Sequence, residues 1–235
     1  MIRILPALLL LLPAAAAAAD RTYTVTDFDR VQVDGPYEVV VTTGGSSGAR
    51  ASGSQLALDA VTVEVSGGIL RVHANRSAWG GYPGQPVEPA RIRVATRELK
   101  GAVVRGPGSL AIDRVRGLRA DLSLAGSGRL SVGAVDADQL IVSLLGAGRI
   151  SLAGMAKQLH AAIQGSGDLD AVALKVDDAQ VDAQTSGIVA FEARRAVTLT
   201  ANGPGDVAIA GNAACTIKAT GSGRIRCGRQ GPSGP

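Results

Sequence analysis

The chain has 235 residues and a formal net charge of +4, from 24 Lys and Arg against 20 Asp and Glu. Only 3% of the residues are aromatic and the basic residues are scattered, which excludes the dense basic and aromatic patch of a nucleic-acid-binding surface. The 31 glycines and the shortage of large side chains instead indicate a narrow core of small aliphatic residues.

Residues 1–19 have the pattern of a bacterial secretory signal peptide. Arg3 gives a positive start, residues 5–12 are an apolar run, and three alanines precede Asp20. This pattern predicts cleavage between Ala19 and Asp20 and a periplasmic or extracellular mature protein. The apolar run is too short to span a bilayer, and no later segment is apolar enough to form a transmembrane span.

A small-residue motif recurs through the second half of the chain at intervals of 18 to 20 residues. Such a period is typical of solenoid proteins. The motifs are Gly106-Pro107-Gly108, Gly126-Ser127-Gly128, Gly146-Ala147-Gly148, Gly165-Ser166-Gly167, Thr185-Ser186-Gly187, Gly203-Pro204-Gly205 and Gly221-Ser222-Gly223.

Apolar residues alternate with polar or small ones on both sides of each motif, which indicates half-buried strands. We therefore predict an all-β, single-domain parallel β-helix over residues 20–228, with about 18–20 residues per coil and nine or ten coils in all. The glycine motifs form its corners, where the backbone must turn sharply and stacked corners must approach closely. Residues 31–41 carry the same pattern once more, around Gly35.

Residues 75–90 interrupt the period and contain the only Trp, together with three Pro and three Gly. This composition predicts a loop inserted into the stack. Trp79 and Tyr82 can form a binding loop that stacks on a sugar or a partner, or they can pack down on the solenoid. The Gly- and Pro-rich residues 229–235 are predicted to be a disordered tail.

The two cysteines both fall at inward positions of the last coil. Cys215 lies six residues before its corner and Cys227 lies six residues after it. In an oxidising compartment this arrangement predicts a Cys215–Cys227 disulfide that fastens the final coil. The alternative is a pair of buried free thiols.

No group of residues has the pattern of a catalytic or metal site. His73 and His160 fall in different coils, and no paired carboxylates stand beside a Lys or His. Arg129, Arg149, Asp168, Asp206 and Arg224 share one coil position and so form a ladder of charges. The ladder is either a solvated edge or part of a functional face, and no cofactor is predicted.

The opening segment, residues 29–41, and the corners at residues 126–130, 165–169 and 221–225 resemble one family, the putative auto-transporter adhesin head GIN domain. The resemblance implies a right-handed parallel β-helix without established catalytic residues. It favours a secreted, non-enzymatic module that binds a glycan, an envelope protein or a copy of itself. The alternatives are a polysaccharide-active enzyme and a purely structural envelope protein.

Overall fold

The computed structural model describes residues 19–75 and 89–228, and it is nearly all β, with 75% strand and 3% helix. Its elements are β1 Ala19–Tyr23, β2 Arg30–Asp34, β3 Glu38–Thr43, β4 Gly48–Gly53, α1 Gln55–Asp59, β5 Val61–Ser66, β6 Ile69–Ala74, β7 Arg91–Thr96, β8 Gly101–Arg105, β9 Ser109–Gly126, β10 Arg129–Gly146, β11 Arg149–Gly165, β12 Asp168–Thr185, β13 Ile188–Asn202, β14 Asp206–Gly211, β15 Ala214–Thr220 and β16 Ile225–Cys227.

The long strands β9 to β13 bend around the molecule and stack in parallel, each in register with the next. Residues at the same distance from their corners are paired, as the period predicts. One such column of inward residues runs Leu110, Leu130, Ile150, Leu169, Val189, Val207, Ile225, and all but the last are buried. The predicted parallel β-solenoid is confirmed.

The solenoid has about six turns, so the prediction of nine or ten coils is wrong. The difference lies in residues 44–100, where the chain builds an antiparallel cap. Strand β4 pairs antiparallel with both β1 and β7, and β5 pairs antiparallel with β6. The short helix α1, capped at its N-terminus by the Ser54 side chain, joins the two hairpin-like parts.

The turn between β5 and β6 explains why this segment leaves the solenoid path. Gly67 and Gly68 both have positive φ angles, +60° and +75°. Two such residues form the tight turn that suits antiparallel hairpins, so the chain reverses at once and makes no coil. The cap still joins the stack in parallel, because β2 lies between β6 and β8, and β3 lies between β7 and β9.

The core is a narrow column of inward Val, Leu, Ile and Ala side chains. Every second residue of a strand segment points into it, and the intervening residues face outward. Phe191 is the largest fully buried side chain, at 1% exposed. The stacking holds the outward side chains of successive strands about 4.8 Å apart, and this fixed spacing defines the surfaces described below.

Candidate functional site

One outer surface of the solenoid carries charged side chains in two straight columns, and we call it the front face. It consists of the outward residues of β4, β7, β3 and the segment that follows each corner. Neighbours within each column are backbone register partners, except in two places where the backbone N–H groups of Ile188 and Arg224 donate to the side chains of Asp168 and Asp206. The first column is Ser52, Arg91, Glu38, Ser109, Arg129, Arg149, Asp168, Ile188, Asp206, Arg224, and the second is Arg50, Arg93, Val40, Ala111, Ser131, Ser151, Asp170, Ala190, Ala208, Arg226.

The structure brings together the charge ladder predicted from the coil position. Arg149 donates to Asp168 at 2.7 Å, and Arg224 donates to Asp206 at 3.5 Å. A third ion pair, between Arg91 and Glu38 at 2.9 Å, extends the same column towards the cap. These pairs neutralise part of the front face.

Asp168 is the best-anchored acid of the ladder. The backbone N–H of Ile188 donates to its carboxylate at 2.9 Å, from the next turn. That hydrogen bond, followed by the one from Arg149, holds the pKa of Asp168 below its usual value. The same carboxylate raises the pKa of Arg149, so the pair stays ionised at neutral pH.

This geometry predicts how Asp168→Asn will behave with pH. A carboxylate whose folded-state pKa lies below its unfolded value of about 3.9 stabilises the fold above that value, and the contribution disappears as the pH falls through the folded pKa. We expect the variant to lose about 0.5–1 kcal/mol at pH 7 and almost nothing near pH 2. Urea denaturation at both pH values measures this, and a pH-independent loss would contradict it.

Four arginines of the front face, Arg50, Arg93, Arg129 and Arg226, have no acidic partner in the described residues, and three of them lie beside another arginine. Arg50 and Arg93 are register partners on neighbouring strands, so two exposed guanidinium groups face outward side by side. Arg129 is likewise the register partner of Arg149, and only Arg149 is paired with an acid. Like charges in directly opposite positions destabilise a sheet, so the two arginine pairs lower the stability of the isolated protein.

Both arginine pairs border shallow depressions. A groove of about 360 Å³ follows the corners and is lined by Ser109, Ser127, Arg129, Arg149 and Asp168, together with small corner residues. A second depression of about 300 Å³ beside the cap includes Thr22, Thr42, Arg50 and Arg93. The first pair thus lies beside two serine hydroxyls, and the second beside two threonine hydroxyls among small and apolar residues.

The predicted disulfide is confirmed: Cys215 of β15 is bonded to Cys227 of β16, with their Cα atoms 6.6 Å apart. Both side chains point inward and are half-buried at the last turn, where β15 is otherwise largely exposed. The bond thus ties the last strand of the solenoid to the preceding segment, where packing is weakest.

We expect reduction of this disulfide to lower the free energy of unfolding by about 2–3 kcal/mol, since it closes a loop of 12 residues. Urea denaturation of the oxidised protein, the reduced protein and the Cys215→Ala/Cys227→Ala variant measures the effect. The reduced protein and the variant should agree with each other. Equal stability of all three proteins would contradict the prediction.

The other predicted site residues are only partly described. Trp79 and Tyr82 lie outside the described residues, as do residues 1–18 of the predicted leader and the tail, 229–235. Ala19 and Asp20, the predicted cleavage site, begin β1, where they pair with Gly53 and Ser52. Cleavage at this bond and a role for the loop remain predictions.

A metal-binding cluster is not found among residues 19–75 and 89–228, where no three His, Cys, Asp or Glu side chains lie together. His73 lies 3.3 Å from Glu64 in the cap, and His160 is half-buried on an outward column of the solenoid. No helix in the described part of the chain is long and apolar enough to cross a bilayer.

Arg50, Arg93 and the Arg91–Glu38 pair were not predicted from the sequence. Their juxtaposition depends on strand pairing between residues far apart in the chain: β4 with β7, and β3 with β7. The available signal was the alternation in residues 48–53, with Ala49 and Ala51 inward and Arg50 outward. That alternation identifies a strand without identifying its partner.

Fold and surface together define a parallel β-solenoid with one capped end and a charged, flat outer face. The chain belongs to the family described as "Putative auto-transporter adhesin, head GIN domain", whose model matches residues 27–213. The family predicted from the opening segment and the corners is therefore confirmed. No curated protein matches the chain.

Solved structures show the same fold at low sequence identity. A "putative adhesin" from Bacteroides fragilis is 19% identical with a TM-score of 0.82, and the match covers 90% of this chain and 97% of that one. A "putative lipid binding protein" from Parabacteroides distasonis is 18% identical with a TM-score of 0.71, covering 91% and 97%. A "putative adhesin" from Parabacteroides merdae is 18% identical with a TM-score of 0.66, covering 88% and 95%.

Proposed function

We propose that this protein is a non-enzymatic, adhesin-like binding module of the bacterial cell envelope, exported by its leader to the periplasm or beyond. The observation that carries the proposal is the front face: an exposed sheet surface on which four arginines lack acidic partners among the described residues, three of them beside another arginine. A stack of strands with fixed spacing suits binding, because its backbone needs little reordering when a partner arrives.

The family and the structural neighbours support this proposal. Two of the neighbours are named as adhesins, and the family name carries the same word. The front-face acids Glu38, Asp168 and Asp206 are held in ion pairs with arginines, and the two columns lack the arrangement of a general acid beside a base. The partner is a glycan or another component of the envelope.

The proposal is tested by a pull-down from envelope extract and purified envelope polysaccharides, using the mature protein from residue 20. Three proteins are compared: the wild type, an Arg93→Gln/Arg129→Gln variant and a Trp79→Ala/Tyr82→Ala variant. We expect saturable binding that the arginine variant weakens. Binding lost only in the aromatic variant would move the site to the loop, and no binding by the wild type would contradict the proposed function.

A second arm tests the claim that the protein is not an enzyme. The wild type is incubated with the polysaccharides that it retains, and their chain length is followed by size-exclusion chromatography. We expect no change in chain length over many hours. Turnover that persists after repeated purification and disappears with Asp168→Asn would identify an enzyme on the same face and contradict this part of the proposal.

A further inference from the structure

We propose that the front face binds an acidic polysaccharide, whose carboxylate groups pair with the Arg50–Arg93 and Arg129–Arg149 guanidinium groups. This inference rests on the proposed function and names the class of ligand. The polysaccharide chain lies across the strands, along the solenoid axis, and reaches both arginine pairs at once.

The first argument is the uncompensated charge. In each pair, the two guanidinium groups belong to register partners on neighbouring strands. Among the described residues, the only acid that forms an ion pair with any of these four arginines is Asp168, which pairs with Arg149. Arg149 uses one terminal nitrogen for that contact, which leaves its other N–H groups available. The repulsion within each pair lowers the stability of the free protein. An anionic ligand that bridges the two guanidinium groups would remove this repulsion.

The second argument is the spacing of the two pairs. Arg93 of the second column and Arg129 of the first lie three strand spacings apart along the stack, through β7, β3, β9 and β10, which is about 14 Å in that direction. The residues between them in the second column, Val40 and Ala111, are short and leave the surface flat. An extended polymer therefore meets no obstacle between the pairs, whereas a single small anion reaches only one.

The charges around this path limit where the ligand binds. Glu38 lies between the two pairs, but its carboxylate is held by Arg91 at 2.9 Å. Beyond Arg149, Asp168 and Asp170 make the face acidic, so the favourable region ends at β11. The region from β4 to β11 spans five strand spacings, or about 24 Å, enough for a short oligosaccharide segment.

The chemistry of the face favours a carboxylated sugar polymer. Guanidinium groups bind carboxylates through two parallel hydrogen bonds, and the Ser109 and Ser127 hydroxyls beside them can pair with sugar hydroxyls. The two columns contain no aromatic side chain on which the bases of a single-stranded nucleic acid would stack. They also lack the broad apolar surface that a lipid bilayer would require.

The test measures the affinity of the mature protein for polygalacturonate, a polymer of uronic acid, by biolayer interferometry at low and high salt. Neutral dextran, single-stranded DNA and anionic phospholipid vesicles are the comparison ligands. The test variant is Arg93→Gln/Arg129→Gln. The matched control is Arg116→Gln/Arg194→Gln, which removes the same charge from another side of the solenoid, where both arginines form exposed ion pairs.

We expect the wild type to bind polygalacturonate in a salt-sensitive manner and to ignore dextran. The test variant should bind at least about 10-fold more weakly, because it loses one guanidinium group of each pair and the charge-assisted hydrogen bonds that this group gives to the ligand. The control should stay within about twofold of the wild type. Circular dichroism confirms that all proteins are folded.

Equal losses in the test and control variants would show a mere net-charge effect and overturn the inference. Preferential binding of DNA, vesicles or dextran would overturn it as well. If polygalacturonate fails while the wild type still binds envelope extract, the ligand class is wrong and the proposed function stands. If neither binds, both proposals fail.

Discussion

Replacing Gly146 by alanine is expected to lower the free energy of unfolding by about 3 kcal/mol or more. Gly146 has φ +117°, which costs a side chain about 1–2 kcal/mol, and its new Cβ would lie 2.6 Å from the carbonyl oxygen of Gly126. That oxygen accepts the N–H of Ala147 at 3.0 Å, so relief of the clash breaks the stacking of two corners, at a further cost of about 1–3 kcal/mol. Urea denaturation measures the loss.

Two other glycines separate the causes of this loss. Gly44 has φ +92° and open space around its Cβ position. Gly44→Ala should therefore lose only the free energy that a positive φ angle costs a residue with a side chain. Gly45 has open space and no positive φ, so Gly45→Ala should be nearly neutral. If Gly146→Ala costs no more than Gly44→Ala, close stacking of the corners does not constrain this position.

Replacing Phe191 by alanine is expected to cost about 3–5 kcal/mol. Phe191 is 1% exposed and lies between the smaller Ala171 and Ile209 of the adjacent turns, so its ring fills the core where Ala171 leaves room. The solenoid core is narrow, and the hydrogen-bonded strands around it hold the cavity open. Chemical denaturation of the variant measures the change.

Two substitutions serve as controls for the core prediction. Phe191→Leu keeps most of the volume and should cost less than about 1.5 kcal/mol. Ile188→Ala, three residues away in the same strand, alters a side chain that is 58% exposed and should change stability very little. A loss at Ile188 comparable to that at Phe191 would mean that the front face contributes to folding as much as the core.

The register of the solenoid could be predicted because it is repeated. Inward residues at fixed distances from each corner, such as Leu130 and Ile150, must pair if successive turns have nearly equal length. A shift of one residue would expose every buried side chain of a turn, so the apolar alternation selects one register. Equal distance from successive corners likewise predicted that Arg129 lies beside Arg149. Distance from the last corner predicted that Cys215 and Cys227 lie at the same end of the core.

The cap could not be predicted in the same way. Residues 61–74 alternate as regularly as the coil strands, and alternation is identical in parallel and antiparallel strands. The distinguishing signal was Gly67-Gly68, which resembles a corner in composition and acts as a hairpin turn because both residues have positive φ. The number of turns is therefore smaller than the number of alternating segments indicates.

The local pattern of the chain determined the strands, their inward faces, the corners and the family, because each of these depends on residues close together in sequence. Only the tertiary structure decided that β4 pairs with β7. This pairing brings Arg50 beside Arg93. Pairing between segments some 40 residues apart depends on how the whole chain closes around its core, and no local alternation encodes it. The second arginine pair of the front face is therefore a product of the cap.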